Sequence, residues 1–411
     1  MAQKLINTKK RLYLLYWFTF MGMGAAAPFI SLYYKKILIA PDGSPAINFI
    51  GTILMIQPLL ALLANPLAGT ISDRYRMEHR VLFLCALAVS IGGLLISLPG
   101  FTNIFPMIDD YRYLVIAIGI LFIGLFQSPI VPIINSTALE YLHDTGDDPK
   151  RYGEFRVVGT LGWIFITSLV GFILEITGII NIPPLLFAFG YFILAMVAAS
   201  GIKGKLNKRK LPWKYLVQDK FFLLFIIFVF IQSFGHMPAF NFTSYFMDDV
   251  NVSFLFIGLA FGISSISEVP VMLYSRKIIN HLGNRKMIII GTSMLALKLL
   301  LLVFVAPLKN PLLMILAMSV HGIGYGLQFV GMINYLDELA PREMKNTYMN
   351  LFNVLGVSIA IALGTKFTAF IIEIFDSQLM MIINAGIILL SVVYFILLVK
   401  TPGSTKTEAV S

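Results

Sequence analysis

The chain has 411 residues, of which 58% are hydrophobic and only 13% charged, against roughly 45–50% and about 25% in an ordinary soluble domain. That balance excludes a soluble enzyme. The net charge of +10 is spread between apolar runs rather than gathered on one face, so no nucleic-acid partner is expected; a single cysteine, Cys85, and no Cys/His cluster at ligand spacing leave no metal or other cofactor to expect.

A membrane span needs about 20 apolar residues. Runs of that kind occur near Leu12–Tyr34, Phe49–Ile71, Val81–Leu98, Tyr113–Leu139, Phe155–Ile176, Ile182–Gly201, Phe221–Phe246, Phe254–Tyr274, Met287–Val305, Leu312–Leu336, Tyr348–Ile372 and Leu379–Val399. The sequence thus predicts an all-α membrane protein of twelve transmembrane helices. The first run follows Lys4, Lys9, Lys10 and Arg11 with no small-residue cleavage site close behind, and reads as a retained anchor. With the N-terminus placed inside, the inner segments hold 24 lysines and arginines, while the outer loops hold only Lys35, Lys36, Arg112 and Lys309. Positive residues stay on the cytoplasmic side, so both termini are expected there.

The longest inner connection carries Lys203, Lys205, Lys208, Arg209, Lys210 and Lys214 and separates six spans from six. Four segments are therefore expected: an N-terminal six-helix bundle (1–201), a basic cytoplasmic linker (202–220), a C-terminal six-helix bundle (221–400) and a short tail (401–411). An internal repeat supports the division. Gly69-Thr-Ile-Ser-Asp73-Arg74 with Arg80 has a weak echo in Arg276-Lys-Ile-Ile-Asn280-His281 with Gly283, Arg285 and Lys286, and Pro28 and Pro238 keep nearly the same offset in spans one and seven. Paired halves of this kind are common among secondary transporters.

An ionisable side chain inside the bilayer costs at least about 2.5–3.5 kcal/mol unless paired or wetted, which makes each one a functional candidate. Glu268 is the one acid well away from the ends of a span. Counting from the inner surface at the helical rise puts it about 14 Å deep, with Lys298 at about 16 Å and His321 near mid-depth. Glu268 is therefore the expected proton-coupling site, with Lys298 and His321 as charge partners; a permanent Glu268–Lys298 ion pair is the structural alternative. In the first half, Arg156 and Trp163 are seven residues apart, close to two full turns, so they share a helix face. Arginine offers a planar fork of donors and tryptophan an apolar plane for a sugar, a base or an aromatic ring. Asn135 and Ser136 on span four are the nearest neutral polar residues expected to join them in binding.

Several of these stretches resemble a known family. Gly69-x-x-x-Asp73-Arg74 resembles the inner-loop signature of the major facilitator superfamily, with Arg76 where that signature usually has glycine. Tyr152-Gly153-x-x-Arg156-x-x-Gly159-x-x-Gly162-Trp163 and Val320-His321-Gly322-x-x-Tyr325-Gly326 resemble the branch that contains lactose permease, other oligosaccharide/proton symporters and proton-coupled nucleoside permeases. The resemblance implies substrate contacts for Arg156, Trp163 and Tyr325, a coupling role for His321 and Lys298, and a conformational role for Gly69, Asp73 and Arg74. It also departs from the pattern: the fourth-helix acid is matched by Asn135 or Ser136, the eighth-helix acid by Ser265 with Glu268 one turn later, and the tenth-helix acid by Gly324. Coupling is then concentrated on Glu268.

The expected function is secondary active transport of a small polar solute, a sugar or a nucleoside, coupled to protons and working by alternating access around a chamber between Arg156, Trp163 and Asn135 on one side and Glu268, Lys298 and His321 on the other. The alternatives are an organic-anion or aromatic-acid symporter or exporter, suggested by Arg156, Lys298 and Lys366, and a non-transporting membrane receptor. A monomer in a bacterial inner membrane is expected, with the lipid bilayer and a small molecule as partners.

Overall fold

A computed structural model of the chain describes residues 2–75, 78–101, 106–146, 152–199, 219–341 and 344–399. Among them sixteen α-helices follow in order: α1 (Ala2–Ala26), α2 (Ile30–Ile37), α3 (Ile47–Tyr75), α4 (Glu78–Ser97), α5 (Arg112–Phe126), α6 (Ile130–Thr145), α7 (Tyr152–Thr177), α8 (Ile182–Ala199), α9 (Lys220–Asn241), α10 (Thr243–Asp249), α11 (Phe254–Leu273), α12 (Ser275–Val305), α13 (Pro311–Leu339), α14 (Lys345–Leu351), α15 (Ile359–Ile374) and α16 (Ser377–Leu398). Among the described residues no strand interrupts them, and an isolated β-bridge joins Ile39 to Pro45.

Among the described residues there are sixteen helices and twelve candidate spans, because Thr8–Ile37, Arg112–Thr145 and Thr347–Ile374 are each built from two helices and α10 lies outside the candidate spans. Proline supplies several of the breaks, because it lacks an N–H and collides with the preceding turn. Pro28 sits between α1 and α2, Pro238 lies one turn before the junction of α9 and α10, and Gln127-Ser128-Pro129 separates α5 from α6. Thr8–Ile37 is thus a long helix followed by a short one, and behind Lys220–Asn241 the short α10 follows α9 in the same way. Between α14 and α15 the chain makes a π-helical turn, Phe352–Ser358. Helix starts are fixed by side-chain caps: Asp219 accepts from the backbone N–H groups of Phe221 and Phe222, Asn310 from Leu312, and Asp376 from Leu379. Gly146 ends α6 in the left-handed conformation at φ 70°.

The chain divides into two compact units, Met1–Lys208 with Ser253–Gly262, and Arg209–Val252 with Ile263–Ser411. In the first, α1 and α8 touch backbone to backbone, since a Cβ on Gly190 would lie 2.9 Å from Gly22 Cα. The opening turns of α11 belong to this unit through a second glycine pair, Gly171 and Gly258, with Glu175 Oε2 accepting from Leu255 N at 3.2 Å. In the second unit, Phe222, Phe225, Phe228 and Val229 of α9 pack on Tyr335 and Leu336 of α13 and Phe395 of α16. Gly283, at φ 73° and ψ 158°, interrupts α12. Beyond that turn Asn284 donates to Glu338 Oε1 at 2.7 Å, and Arg285 donates to the carbonyls of Val399 and Ile396 at the end of α16. The counterpart stretch with Gly69, Asp73 and Arg74 falls at the end of α3, where the backbone is helical and the side chains lie outside the described part.

The outward surface is strongly apolar: Phe304 is 75% exposed, Leu397 72% and Leu67 62%. Water would penalise such a surface, whereas hydrocarbon is a neutral surrounding for it. Between α12 and α13 the fit is closest at Gly291, where a Cβ would stand 2.6 Å from Gly324 O and also strike the backbone of Gln328. Gly291→Val is expected to cost about 1–3 kcal/mol through overpacking. It should lower the unfolding midpoint in detergent by several degrees, while Gly386→Ala, where nothing lies within 4 Å, leaves the midpoint in place.

Candidate functional site

In the first unit the site is assembled on one face of α1. Tyr16, Phe20 and Gly24 are four residues apart and line up along the helix. Opposite them α7 presents Arg156, Gly159 and Trp163. The Arg156 guanidinium carbon lies 4.1 Å from the centre of the Phe20 ring, close enough for a cation–π contact. Gly159 makes room for that ring, since a Cβ there would be 2.6 Å from Phe20 Cδ2, and Gly24 leaves space for the Trp163 indole in the same way at 3.2 Å. The Tyr16 ring is parallel to Phe20 at 6.5 Å, and its hydroxyl donates to Asn135 Oδ1 at 2.8 Å. Arg156, Trp163 and Asn135 therefore meet around α1. Ser136 does not join them: it is exposed, and its hydroxyl donates back to Ile133 O of its own helix.

Two donors at this site are left over. Trp163 Nε1 is buried without a hydrogen-bond partner. Arg156 is half-buried, and among the described residues no side-chain acceptor reaches its guanidinium. A buried donor without an acceptor costs about 1–3 kcal/mol, so a solute oxygen that reached either group would be welcomed. The residues that sequence reasoning overlooked are Tyr16 and Phe20. Their four-residue spacing was visible, but aromatic residues in an apolar run read as packing.

In the second unit Lys298 and His321 come together around Phe240 of α9. The Lys298 ammonium lies 5.7 Å from the Phe240 ring centre, and the His321 imidazole stacks on the same ring at 4.7 Å and 19°. His236, not singled out from the sequence, stacks on His321 at 5.2 Å. Tyr325 lies parallel to His321 at 5.9 Å and 6°, and Phe329 follows one turn later at 5.8 Å. His236 Nε2 and His321 Nδ1 are both buried without a partner. Lys298 is 1% exposed and donates to Thr243 Oγ1 at 3.0 Å.

The charge pairing expected for Lys298 is therefore replaced by a neutral one. Its partner is a hydroxyl at the start of α10 rather than the carboxylate of Glu268. Depth counting along straight helices missed this, because the break after Phe242 starts a new helix with Thr243 turned toward α12. Glu268 is half-buried on α11 and lies beside α13 instead: a Cβ on Gly326 would be 3.5 Å from Glu268 Cγ. Ser267 ties the two helices by donating to Ser319 O at 2.8 Å. Among the described residues, no group of three or more His, Cys, Asp and Glu is placed to hold a metal ion.

The Lys298–Thr243 contact can be tested by a double-mutant cycle. Thr243→Val removes the acceptor while keeping the shape, and a buried cation without it should cost about 1–3 kcal/mol. The unfolding midpoint of Thr243→Val is expected to fall, and adding Lys298→Met to be far less costly than in the parent, since the ammonium then has no partner to lose.

Residues 10–383 match the model of the MFS_1 like family. An uncharacterised transporter of Bacillus subtilis, YwbF, is 26% identical over 83% of this chain and 81% of its own length. The maltose permease of Geobacillus stearothermophilus is 26% identical over 84% of this chain and 82% of its own. Among solved structures, a mutant form of the nucleoside transporter NupG superposes with a TM-score of 0.80 at 16% identity, covering 96% of this chain and all of that one. These relatives and neighbours are transporters, not enzymes. The chain, with its twelve spans and this match over most of its length, belongs to the MFS_1 like family and is a multi-pass membrane transporter of the major facilitator type.

Proposed function

We propose that the transporter is a proton-coupled symporter of a small uncharged polar solute, a sugar or a nucleoside, working by alternating access. The observation that carries this reading is the cluster of Arg156, Phe20, Trp163 and Asn135. Hydroxyl oxygens suit the unmatched guanidinium fork and the free indole N–H, while the apolar ring planes suit the face of a sugar or base. Asn135, held by Tyr16, keeps amide donors for a further oxygen. The likeness to a maltose permease and to a nucleoside transporter supports the same solute classes.

Coupling is assigned to Glu268. Protonated from outside, the carboxyl is neutral and favours the loaded state; releasing its proton inside favours discharge. Lys298 and His321 set the electrostatic surroundings, Tyr325, stacked on His321 in the second unit, is assigned a solute contact, and Gly69, Asp73 and Arg74 serve the conformational change. Both termini are placed in the cytoplasm of a bacterial cell, and the working unit is a monomer. In proteoliposomes, maltose or uridine is expected to drive external alkalinisation. Glu268→Gln should lose at least about tenfold of proton-linked uptake while keeping solute exchange, which needs no net proton movement. If Glu268→Gln still carries protons together with solute, coupling lies elsewhere.

One observation favours a second reading. A half-buried Arg156 with no carboxylate in reach among the described residues also suits an organic anion. Competition against one transported ligand separates the two: maltose or uridine should compete under the first reading, and benzoate under the second. Arg156→Lys should weaken transport of either class by about tenfold or more, because an ammonium does not reproduce the planar fork.

A further inference from the structure

A chain of neutral polar side chains crosses the first unit on the other flank of α1. Gln57 Nε2 of α3 donates to Gln127 Oε1 at 2.8 Å, and Gln127 Nε2 donates to the hydroxyl of Tyr191 on α8 at 2.9 Å. Tyr191 is fully buried, whereas both glutamines are half-buried. Next to Gln127, Ser128 Oγ is buried with no partner. These residues lie mid-span: Gln127 and Ser128 at the break between α5 and α6, within Arg112–Thr145, and Gln57 within Ile47–Asn65.

The backbone is loosened at the same place. Pro58 in α3, and Pro129 and Pro132 around the start of α6, have no N–H, so the carbonyls of Leu54, Leu125 and Ser128 lose their regular helical donors. Non-helical backbone at membrane depth is tolerated where it is buried in protein or lines a water-filled cavity. The depth also matches that of the site on α7. Tyr191 packs where a Cβ on Gly22 would stand, and Trp163 packs at Gly24. Two residues of α1 separate the contacts, or about 3 Å along the helix.

We propose that Gln57 and Gln127, oriented by Tyr191 and flanked by Ser128, form a second solute subsite in the first unit, one that takes the hydroxyl or carbonyl groups of an uncharged solute. A primary amide donates and accepts at once, which complements a hydroxyl, and no charged residue takes part in the relay. Gln57 retains acceptor capacity on its carbonyl oxygen, Tyr191 a hydroxyl proton, and Ser128 a complete hydroxyl. Tyr191 is a positioning residue; the two amides are the groups that touch solute. This subsite rests on the reading that the solute is uncharged and polar.

Cysteine reactivity tests it. In a Cys85→Ala background, Gln57→Cys and Gln127→Cys are treated with a charged methanethiosulfonate ammonium reagent in right-side-out and inside-out vesicles. The parent protein with its buried Cys85 is the slow standard, and Asn135→Cys reports on the site beside Arg156. The expected result is reaction at least about tenfold faster than Cys85 from one side or the other, slowed by maltose or uridine as Asn135→Cys is slowed. Rates no faster than Cys85 overturn the proposal and make the relay a packing clamp between helices. Fast rates that a ligand protecting Asn135→Cys leaves unchanged also overturn it. If neither ligand protects Asn135→Cys, the uncharged-solute reading itself fails, and the subsite as a site for such solutes falls with it. Gln57→Asn and Gln127→Asn, which keep the amide but withdraw it, provide an arm that does not depend on the cysteine variants folding. Each should weaken the thermal stabilisation given by whichever of maltose and uridine stabilises the parent, by about fivefold or more in apparent affinity; unchanged affinity in both counts against the subsite.

Discussion

Hydrocarbon offers no hydrogen bonds, and that constraint governs the interior of this protein. Every polar group within a span must find its partner in the chain, in trapped water or in a passing solute. Most do so within the chain. Lys298 has Thr243, Tyr16 has Asn135, Gln57 and Gln127 have each other, and Ser90 donates to the carbonyl of Ala188 at 2.8 Å. Among the described residues some buried atoms have no partner, and part of them fall at the sites described above: Trp163 Nε1 stands on the face of α7 that carries Arg156, His236 Nε2 and His321 Nδ1 belong to one aromatic stack, and Ser128 Oγ lies beside Gln127, whereas Tyr34 OH, Asn181 Oδ1 and Tyr394 OH lie elsewhere.

Glycine lets the framework come close enough for such partners to meet. Where α1 meets α8 at Gly22 and Gly190, and where α12 meets α13 at Gly291 and Gly324, the backbones approach to distances that no side chain allows. In a membrane this closeness brings van der Waals contact that burial from water does not supply. It also leaves room elsewhere for large rings, so Phe20 fits against Gly159 and Tyr191 against Gly22.

The long-range pattern of the fold was legible because hydropathy follows span length. Twelve apolar runs matched twelve candidate spans among the described residues, with most boundaries displaced by a few residues in either direction and the ninth span beginning at Ser275 rather than Met287. Pro28 and Pro238, noted in the sequence only for their matching offset, fall between α1 and α2 and near the end of α9. The pairing of Arg156 with Trp163 on one face followed from a seven-residue spacing, and both do meet the α1 face. What stayed hidden depends on contacts between distant segments. Thr243 as the partner of Lys298 depends on a helix break that depth counting treats as straight, and His236 gave no signal of its own within an apolar run. The Gln57–Gln127–Tyr191 relay joins three spans, and no local pattern ties them.

The π-helical turn at Phe352–Ser358 has a consequence for the rest of span eleven. A π turn accommodates one surplus residue within a helix that otherwise advances by about 100° per position. Everything after it, Lys366 included, owes its azimuth to that single insertion. Excising one residue there would swing the remainder of the helix by more than a quarter of a circle, presenting a different set of side chains to lipid and to the bundle, so the bulge fixes the helix's rotational phase and is not merely a local irregularity.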